Sequence, residues 1–255
     1  MKVHSQVPGS PLRGVVSRFL VVESPEERSD MHLPETGFIA AFRLSGECQV
    51  GDRRFASPAI LTGLTDHLRR HQHGRNNTTL VVHFTPLGAS AFTHEALDGL
   101  WNASVDLGDV IGNAAEVSEV VERLAEAADP AQRIEIVERF LLARLDRHKP
   151  DPLVSAAIDW MAGHVPTPVR VRELVRHIGL SQSALERRFR RVVGAAPKRF
   201  LSLLRLKRAA QLLQSGTSLT TVAHTAGYYD QAHFNHEFRR MAGLTPGEYF
   251  TQARA

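Results

Sequence analysis

Cysteine is almost absent from this chain, which has one thiol, Cys48, among 255 residues. A single cysteine cannot form an internal disulfide, so the sequence argues against a disulfide-dependent secreted fold and for a reducing compartment. Long apolar runs are also absent, and Pro8, Gly9 and Pro11 interrupt the N-terminal segment. The sequence therefore supports neither a membrane span nor a signal peptide. We expect a soluble cytoplasmic protein with no membrane partner.

Motifs of enzyme chemistry are equally scarce. The chain has no glycine-rich phosphate loop and no recognisable Ser/His/Asp arrangement. The sequence therefore predicts no catalytic residue, no cofactor and no metal.

Charge is divided unevenly along the chain. Residues 1–150 contain 16 Lys and Arg against 20 Asp and Glu, whereas residues 151–255 contain 15 against 7. The formal net charge of +4 therefore comes entirely from the C-terminal part. Such an asymmetry is typical of a nucleic-acid-binding module joined to a second domain.

Two prolines, Pro150 and Pro152, interrupt a helical pattern and indicate a domain boundary. We predict an α+β chain with one domain over 1–149 and another over 150–255. The first is expected to be a small β-barrel, cupin-like, with a helical hairpin. The second is expected to be all-α, with two helix-turn-helix units joined by a long helix.

Strand patterns occupy the first third of the chain. Turn residues separate short segments that are apolar-rich or alternating, at 36–44, 47–55 and 78–84. Further on, apolar residues recur every three and four positions in two runs on either side of Asp129-Pro130. These runs predict two amphipathic helices that pack on the barrel, or in part on a second subunit.

After the boundary, the residues of the C-terminal part have the spacing of a helix-turn-helix. A helix over 171–177 is followed by Gly179, which can turn the chain, and by Ser181, which can N-cap the next helix. In that next helix the predicted core face consists of Leu185, Phe189 and Val192.

One sequence motif occurs twice in the C-terminal part. Residues 189–200 read Phe-Arg-Arg-x-x-Gly-x-x-Pro-x-x-Phe, and residues 238–249 read Phe-Arg-Arg-x-x-Gly-x-x-Pro-x-x-Tyr. Self-similarity at a fixed period indicates a duplicated structural unit. The second unit is predicted to have a turn at Gly227, an N-cap at Asp230 and a core face of Phe234, Phe238 and Met241.

Each unit presents polar residues on the side opposite its core face. Arginine can bind guanine through two hydrogen bonds, glutamate can accept from cytosine, asparagine suits adenine, and alanine can contact the thymine methyl group. We therefore predict double-stranded DNA as a partner, with base contacts from Ser183, Glu186, Arg187, Arg190, Gln231, Ala232, Asn235, His236 and Arg239.

Basic residues outside these faces are predicted to bind phosphate oxygens and to set register without choosing sequence. They are Arg191, Lys198, Arg199 and Arg240. A helix of about 18 residues starting at Pro197 would span roughly 27 Å. This is near the ~34 Å that separates successive major-groove windows on one side of DNA, so one subunit could bind two adjacent windows.

These segments resemble the AraC/XylS family of transcription regulators, over about 100 residues that include 179–197, 205–213 and 223–249. The resemblance implies a sequence-specific regulator in which Ser183, Glu186, Arg187, Gln231, Ala232, Asn235 and His236 face the bases. RNA polymerase is then a candidate partner. His236 stands where the family commonly has Arg, which predicts a relaxed or pH-dependent preference in the second half-site.

The N-terminal 150 residues are similar to the barrel-plus-helices domains that precede such tails, most clearly at 82–88. The resemblance implies that 1–149 binds a small-molecule effector and forms a homodimer. Phe38, Phe42 and Phe84 could line a pocket, although filling of the core is the more ordinary role for them.

Two other functions remain open from the residues. His67, His71, His73 and His83 could line the metal site of a cupin-type enzyme with an attached DNA-binding tail. Neighbouring arginines and the lack of an adjacent acidic ligand favour an ordinary polar strand or loop there.

Cys48 has no neighbouring His or Arg in the sequence and is expected to pack as a small apolar residue. An architectural protein that coats DNA without reading it is the other alternative.

Overall fold

The computed structural model describes residues 1–93, 95–145, 151–165 and 171–252. The predicted boundary at 149/150 lies outside the described residues, so the division into two domains stays a prediction. Within the described ranges, no helix combines the length and the apolar character needed to cross a bilayer.

Strands occupy the N-terminal part of the chain. In chain order they are β1 Lys2–Gln6, β2 Val16–Ser24, β3 Arg28–His32, β4 Ile39–Ser45, β5 Cys48–Val50, β6 Arg53–Arg54, β7 Ala59–Thr62, β8 Arg69–His73, β9 Asn77–Phe84 and β10 Ser104–Asp106. The segment predicted as one strand over 47–55 is two short strands, because Gly51 takes a left-handed φ of 57° and reverses the chain.

The strands form two antiparallel sheets. The larger has the order β1-β2-β9-β4-β7-β10, and the smaller has the order β3-β8-β5-β6. Residues of both sheets line one cavity of about 170 Å³ between them. The N-terminal part therefore contains both sheets, but the strand pairing within the described residues does not close either sheet into the predicted barrel.

The central strand β9 is buried on both faces. Leu80, Val82 and Phe84 share one face and are 6% exposed or less. The alternate residues Thr79, Val81 and His83 line the cavity between the sheets. This arrangement follows from the two-residue period of a strand, which sends successive side chains to opposite faces.

Helices follow the strands. In chain order they are α1 Leu107–Ile111, α2 Ala114–Glu126, α3 Pro130–Arg144, α4 Pro152–His164, α5 Val171–Ile178, α6 Gln182–Val193, α7 Pro197–Gln214, α8 Leu219–Thr225, α9 Gln231–Ala242 and α10 Pro246–Gln252. The part of the chain from α4 onward is all helical within the described residues.

The predicted helix pair is α2 and α3. Asp129 accepts a hydrogen bond from the backbone N–H of Gln132 and caps α3, while Pro130 occupies its first turn. The apolar stripes of both helices pack on the larger sheet, where Phe42 of β4 meets Phe140 of α3 edge to face at 6.4 Å. Phe38, Phe42 and Phe84 are at most 6% exposed and fill this core.

Candidate nucleic-acid interface and ligand cavity

The first helix-turn-helix unit consists of α5 and α6. Gly179 has a left-handed φ of 75°, and Ser181 accepts a hydrogen bond from the N–H of Ala184, so both predicted turn residues act as expected. Leu185 and Phe189 are fully buried. The third core residue is Val193 rather than Val192, which is half-buried.

The outward face of α6 carries the residues predicted to read bases. Ser183, Arg187 and Arg190 are exposed. Glu186 is half-buried by its neighbours: it accepts a hydrogen bond from Gln182 at 2.9 Å, and its carboxylate lies 3.2 Å from Arg190. Glu186 and Arg190 are therefore paired with each other in the free protein and must separate before either can reach a base.

The second unit, α8 and α9, repeats this construction. Ser218 caps α8, Gly227 turns the chain with φ 79°, and Asp230 accepts a 2.7 Å hydrogen bond from the N–H of His233 to cap α9. Phe234 and Phe238 are fully buried, as predicted, and Met241 is 3% exposed.

The outward face of α9 includes side chains that are partly buried or already hydrogen-bonded within the chain. Ala232, His236 and Arg239 are exposed. Gln231 accepts a 2.7 Å hydrogen bond from Thr220, and Asn235 has its Oδ1 buried without a hydrogen-bond partner among the described residues. A half-turn about the last torsion of Asn235 exchanges its oxygen and nitrogen, and this exchange decides which group is offered to a base.

The long helix α7 joins the two units and has the predicted 18 residues from Pro197. Phe200 packs edge to face on Phe189 of α6 at 5.4 Å, and Leu203 and Leu206 are fully buried. The connection is therefore a packed helix of roughly 27 Å rather than a flexible linker.

The four residues predicted to bind phosphate divide into two pairs. Arg191 and Lys198 are exposed. Arg199 instead lies over the ring of Trp101 at 4.9 Å, and Arg240 forms an ion pair with Glu237 at 3.1 Å. Arg199 and Arg240 thus already have partners within the chain, whereas Arg191 and Lys198 extend into solvent.

The N-terminal part contacts the C-terminal ends of both α6 and α9. After α6, an ideal Cβ on Gly194 would lie 2.9 Å from the carbonyl oxygen of Leu97 and 3.0 Å from the ring of Phe38. At the end of α9, the carbonyl of Met241 accepts a 2.7 Å hydrogen bond from the N–H of Leu68. The sequence carried no signal for this interface, because its contacts join residues more than 90 positions apart.

A second candidate site is the cavity between the two sheets, here called the inter-sheet cavity. Apolar side chains of the larger sheet, among them Leu20, Val22 and Val81, form one wall. Arg28 of the smaller sheet pairs with Asp30, while its Nε and Nη1 are buried without a partner among the described residues. Two buried guanidinium nitrogens therefore remain available to donate hydrogen bonds to a ligand.

Histidines of both sheets line the inter-sheet cavity. Burial lowers the pKa of His71 to about 3, and the charges of His32, His73 and Arg69 act in the same direction. Burial and the charge of His73 likewise lower the pKa of His32 to about 4. These imidazoles are therefore neutral near pH 7, and their nitrogens can accept a hydrogen bond or a metal ion.

Cys48 has histidine neighbours in the structure that it lacks in the sequence. Cys48 lies opposite His73 in the β5–β8 ladder, and the ligand atoms of Cys48, His71 and His73 are within 4.8 Å of one another. His67, which the sequence grouped with these histidines, is exposed and faces Asp66 at 3.5 Å. Strand pairing, which no local pattern reveals, brings the cysteine into the cluster.

Two helix pairs on a connecting helix define a helix-turn-helix arrangement. Residues 174–252 match the family model described as a helix-turn-helix domain. This match and the regulators described next support the resemblance of this part of the chain to the AraC/XylS family.

Two curated relatives illustrate the match. The chain is 29% identical over 152 residues to the HTH-type transcriptional regulator ArgR of Pseudomonas aeruginosa, which covers 59% of this chain and 44% of ArgR. It is 33% identical over 101 residues to the HTH-type transcriptional activator RhaS of Pectobacterium carotovorum subsp. carotovorum, covering 39% of this chain and 36% of RhaS. The matches thus span less than half the length of these relatives.

Solved structures of ToxT from Vibrio cholerae have a similar fold along most of the chain. One has a TM-score of 0.51 at 12% identity and covers 98% of both chains. Another, ToxT bound to an unsaturated fatty acid, has a TM-score of 0.50 at 13% identity and covers 91% of this chain and 94% of ToxT. At these identities the likeness concerns the fold alone.

Proposed function

We propose that this protein is a sequence-specific transcription regulator that binds two adjacent major grooves of DNA and responds to a small molecule. Residues 150–255 bind the DNA, and residues 1–149 hold the effector. The observation that carries the proposal is the duplicated unit: two N-capped helices, α6 and α9, joined by the packed 18-residue helix α7.

The exposed face of each unit supports base reading. Arg187 on α6 and Arg239 on α9 extend from helices whose opposite faces are fully buried, so these side chains are presented in a fixed direction. A major groove admits one α-helix, and arginine there can bind guanine through two hydrogen bonds. The Glu186–Arg190 pair is an i,i+4 pair on one helix and contributes only about 0.3–0.5 kcal/mol, so separating it on DNA costs little.

The test is a matched pair of arginine variants on one helix. Arg187→Ala removes a residue of the reading face, and Arg191→Ala removes an exposed neighbour outside it. We expect R187A to lose about 1–3 kcal/mol at one base position, and R191A to weaken binding to all sequences and to flatten the salt dependence. Competition binding with a randomised-site pool measures both effects.

Two outcomes would overturn this reading. Unchanged site preference in R187A, E186A and N235A together would favour an architectural protein that coats DNA. Protection by the wild-type chain limited to one groove, rather than two segments about 10 base pairs apart, would contradict simultaneous use of both units.

The inter-sheet cavity is the proposed effector site, in the cupin-like domain expected from the sequence. ToxT has been solved with an unsaturated fatty acid and with a naphthyl-butenoic acid, both of which join an apolar body to a carboxylate. Here an apolar wall faces the unpaired N–H groups of Arg28. A cavity of about 170 Å³ is small beside usual ligand pockets of roughly 300–1,000 Å³, so we propose a short organic acid.

A thermal-shift series of carboxylic acids of increasing chain length tests the effector site. Each acid is paired with its primary amide as a control. An acid at 100 times its Kd should add about 2.7 kcal/mol to the free energy of unfolding, and Arg28→Gln should remove this gain. Equal shifts from acids and amides would contradict a carboxylate–guanidinium contact.

The relatives are transcription regulators, and we propose no enzymatic activity. RNA polymerase and a second copy of the chain remain proposed partners. Sedimentation of the DNA complex tests the second copy, and transcription in vitro tests the polymerase.

A further inference from the structure

Three potential metal ligands lie on one face of the smaller sheet. His71 and His73 are two positions apart on β8, so their side chains share a face. Cys48 is paired directly with His73 across the ladder, and Val50 is paired with His71. The ligand atoms of Cys48, His71 and His73 are within 4.8 Å of one another.

We propose that Cys48, His71 and His73 form a binding site for a divalent transition-metal ion, with zinc as the reference ion. A thiolate and two imidazoles are ligands of zinc, and soft sulfur selects against calcium and magnesium, which take oxygen ligands. Three protein ligands leave the remaining coordination position to water or to a ligand from solution.

The two nitrogens of His73 have different surroundings. Nδ1 is buried and has no hydrogen-bond partner within the described residues. The nearby side chain of Asn77 opposes the lowering of the pKa of the ring by burial. Nε2 faces the carboxylate of Asp30 at 3.6 Å. Metal-binding histidines usually direct their second nitrogen to a carboxylate, which fixes the ring. The geometry therefore assigns Nδ1 to the metal and Nε2 to Asp30.

Neighbouring positive charge has to be compensated. Arg28 pairs with Asp30, and Arg69 donates a 2.7 Å hydrogen bond to Ser104. When the ion binds, the S–H bond of Cys48 breaks, its proton passes to solvent, and a sulfur–metal bond forms. The site thus gains one positive charge rather than two from a divalent ion.

The site is also accessible from outside. Cys48 and His73 line the inter-sheet cavity and, in addition, a surface groove that includes Glu27, Gln49 and Gly74. An ion can therefore reach the thiol without opening the sheet. The metal would join β5 to β8 across the ladder and stabilise the N-terminal part.

Titration of the full-length protein with cobalt(II), a spectroscopic substitute for zinc, tests the site. We expect one ion per chain, an absorption band from thiolate-to-cobalt charge transfer, and displacement of cobalt by zinc. Loss of an outer hydrogen-bond partner alone weakens metal binding about 10–100-fold. Cys48→Ser and His73→Ala, which each remove a ligand, should therefore weaken it by at least about 100-fold, and Cys48→Ser should abolish the band.

His67→Ala is the matched control, because His67 is exposed and outside the cluster. It should retain full affinity and the band. Thermal unfolding without metal identifies any variant that fails to fold, and a zinc-dependent rise in Tm seen in wild type and H67A but not in C48S provides a second readout. A wild-type chain without the charge-transfer band, or equal zinc affinity in wild type and C48S, would overturn the proposal. DNA affinity is measured separately, so failure here leaves the proposed regulator untouched.

Discussion

Gly194 and Gly243 occupy the same position in the two copies of the repeated motif. Both have a left-handed φ, of 77° and 70°. A Cβ on Gly194 would meet Leu97 and Phe38, whereas no described atom lies within 4 Å of a Cβ on Gly243. The two glycines therefore share a backbone requirement, and only Gly194 adds a close contact between the two parts of the chain.

Alanine at these two positions separates the two effects. Gly243→Ala should lower the free energy of unfolding by about 1–2 kcal/mol, the cost of a left-handed L-residue. Gly194→Ala should lose a further ~1–3 kcal/mol from overpacking. Urea unfolding of both variants measures the difference, and equal losses would show that the contact with Leu97 and Phe38 adds nothing.

His83 should make the protein sensitive to mild acid. Burial and the nearby Arg18 lower its pKa to about 4, with Lys207 and His32 acting in the same direction and Glu35 opposing them. Between the unfolded pKa of about 6.5 and the folded pKa, the unfolded chain binds more protons at this site. Stability is therefore full above the unfolded pKa and falls as the pH decreases through this window.

His83→Gln tests this contribution. Between pH 6.5 and 4, the free energy of unfolding of H83Q should depend less steeply on pH than that of the wild type. The difference in slope should be up to about 1.4 kcal/mol per pH unit. Urea titrations at several pH values measure the slope. An unchanged slope in H83Q would contradict the assignment.

At the scale of elements, helix starts were the most predictable features. Ser181, Asp230 and Asp129 each cap the helix predicted to follow them, because an N-cap needs only a short polar side chain beside a free N–H. The apolar periods of α6 and α9 likewise located their buried faces, apart from Val193. These signals depend only on residues close together in the chain, so they can be recognised in a single sequence.

Asp230→Ala should therefore cost about 1 kcal/mol of stability, since the 2.7 Å hydrogen bond to the N–H of His233 is lost. Asp230→Ser should restore most of it, because serine also caps helices. Unfolding by urea provides the comparison. If D230S is as destabilised as D230A, the side chain matters for a reason other than capping.

Pairing between distant elements could not be predicted in the same way. The two-sheet arrangement, the cluster around Cys48 and the packing of Arg199 on Trp101 each depend on strand register or on contact between the two parts of the chain. The sequence spacing placed the predicted base-reading side chains opposite the core faces of α6 and α9, and their contact with bases stays a prediction. Their internal partners, such as Thr220 on Gln231, were not predictable from that spacing.

At the scale of the whole molecule, the two parts of the chain are joined by several contacts of different kinds. Besides Leu68–Met241 and Gly194, Lys207 lies 3.4 Å from Glu35, and Tyr249 donates a 3.4 Å hydrogen bond to the carbonyl of Met31. The half-exposed ion pair contributes at most about 1 kcal/mol. The buried contacts at Gly194 are therefore expected to carry most of the coupling.

Two tryptophans report on this coupling, since Trp101 lies in the N-terminal part and Trp160 in α4. We expect the single-tryptophan variants W101F and W160F to show the same urea midpoint by fluorescence, because the parts unfold together. Far-ultraviolet circular dichroism of each variant is the control for the overall transition. Two clearly separated midpoints would mean that the interface does not couple unfolding.

The contacts at Gly194 and Met241 also restrict the distance between α6 and α9. The separation is fixed at two places, by α7 and by the surface that touches both helix ends. Successive base pairs are about 3.4 Å apart along DNA, so a displacement of Leu68 relative to Phe38 by that distance corresponds to one base pair of spacer. Under the proposed function, a displacement within the N-terminal part would change which spacer length between the half-sites fits, whereas α6 and α9 would still determine the base sequence of each half-site.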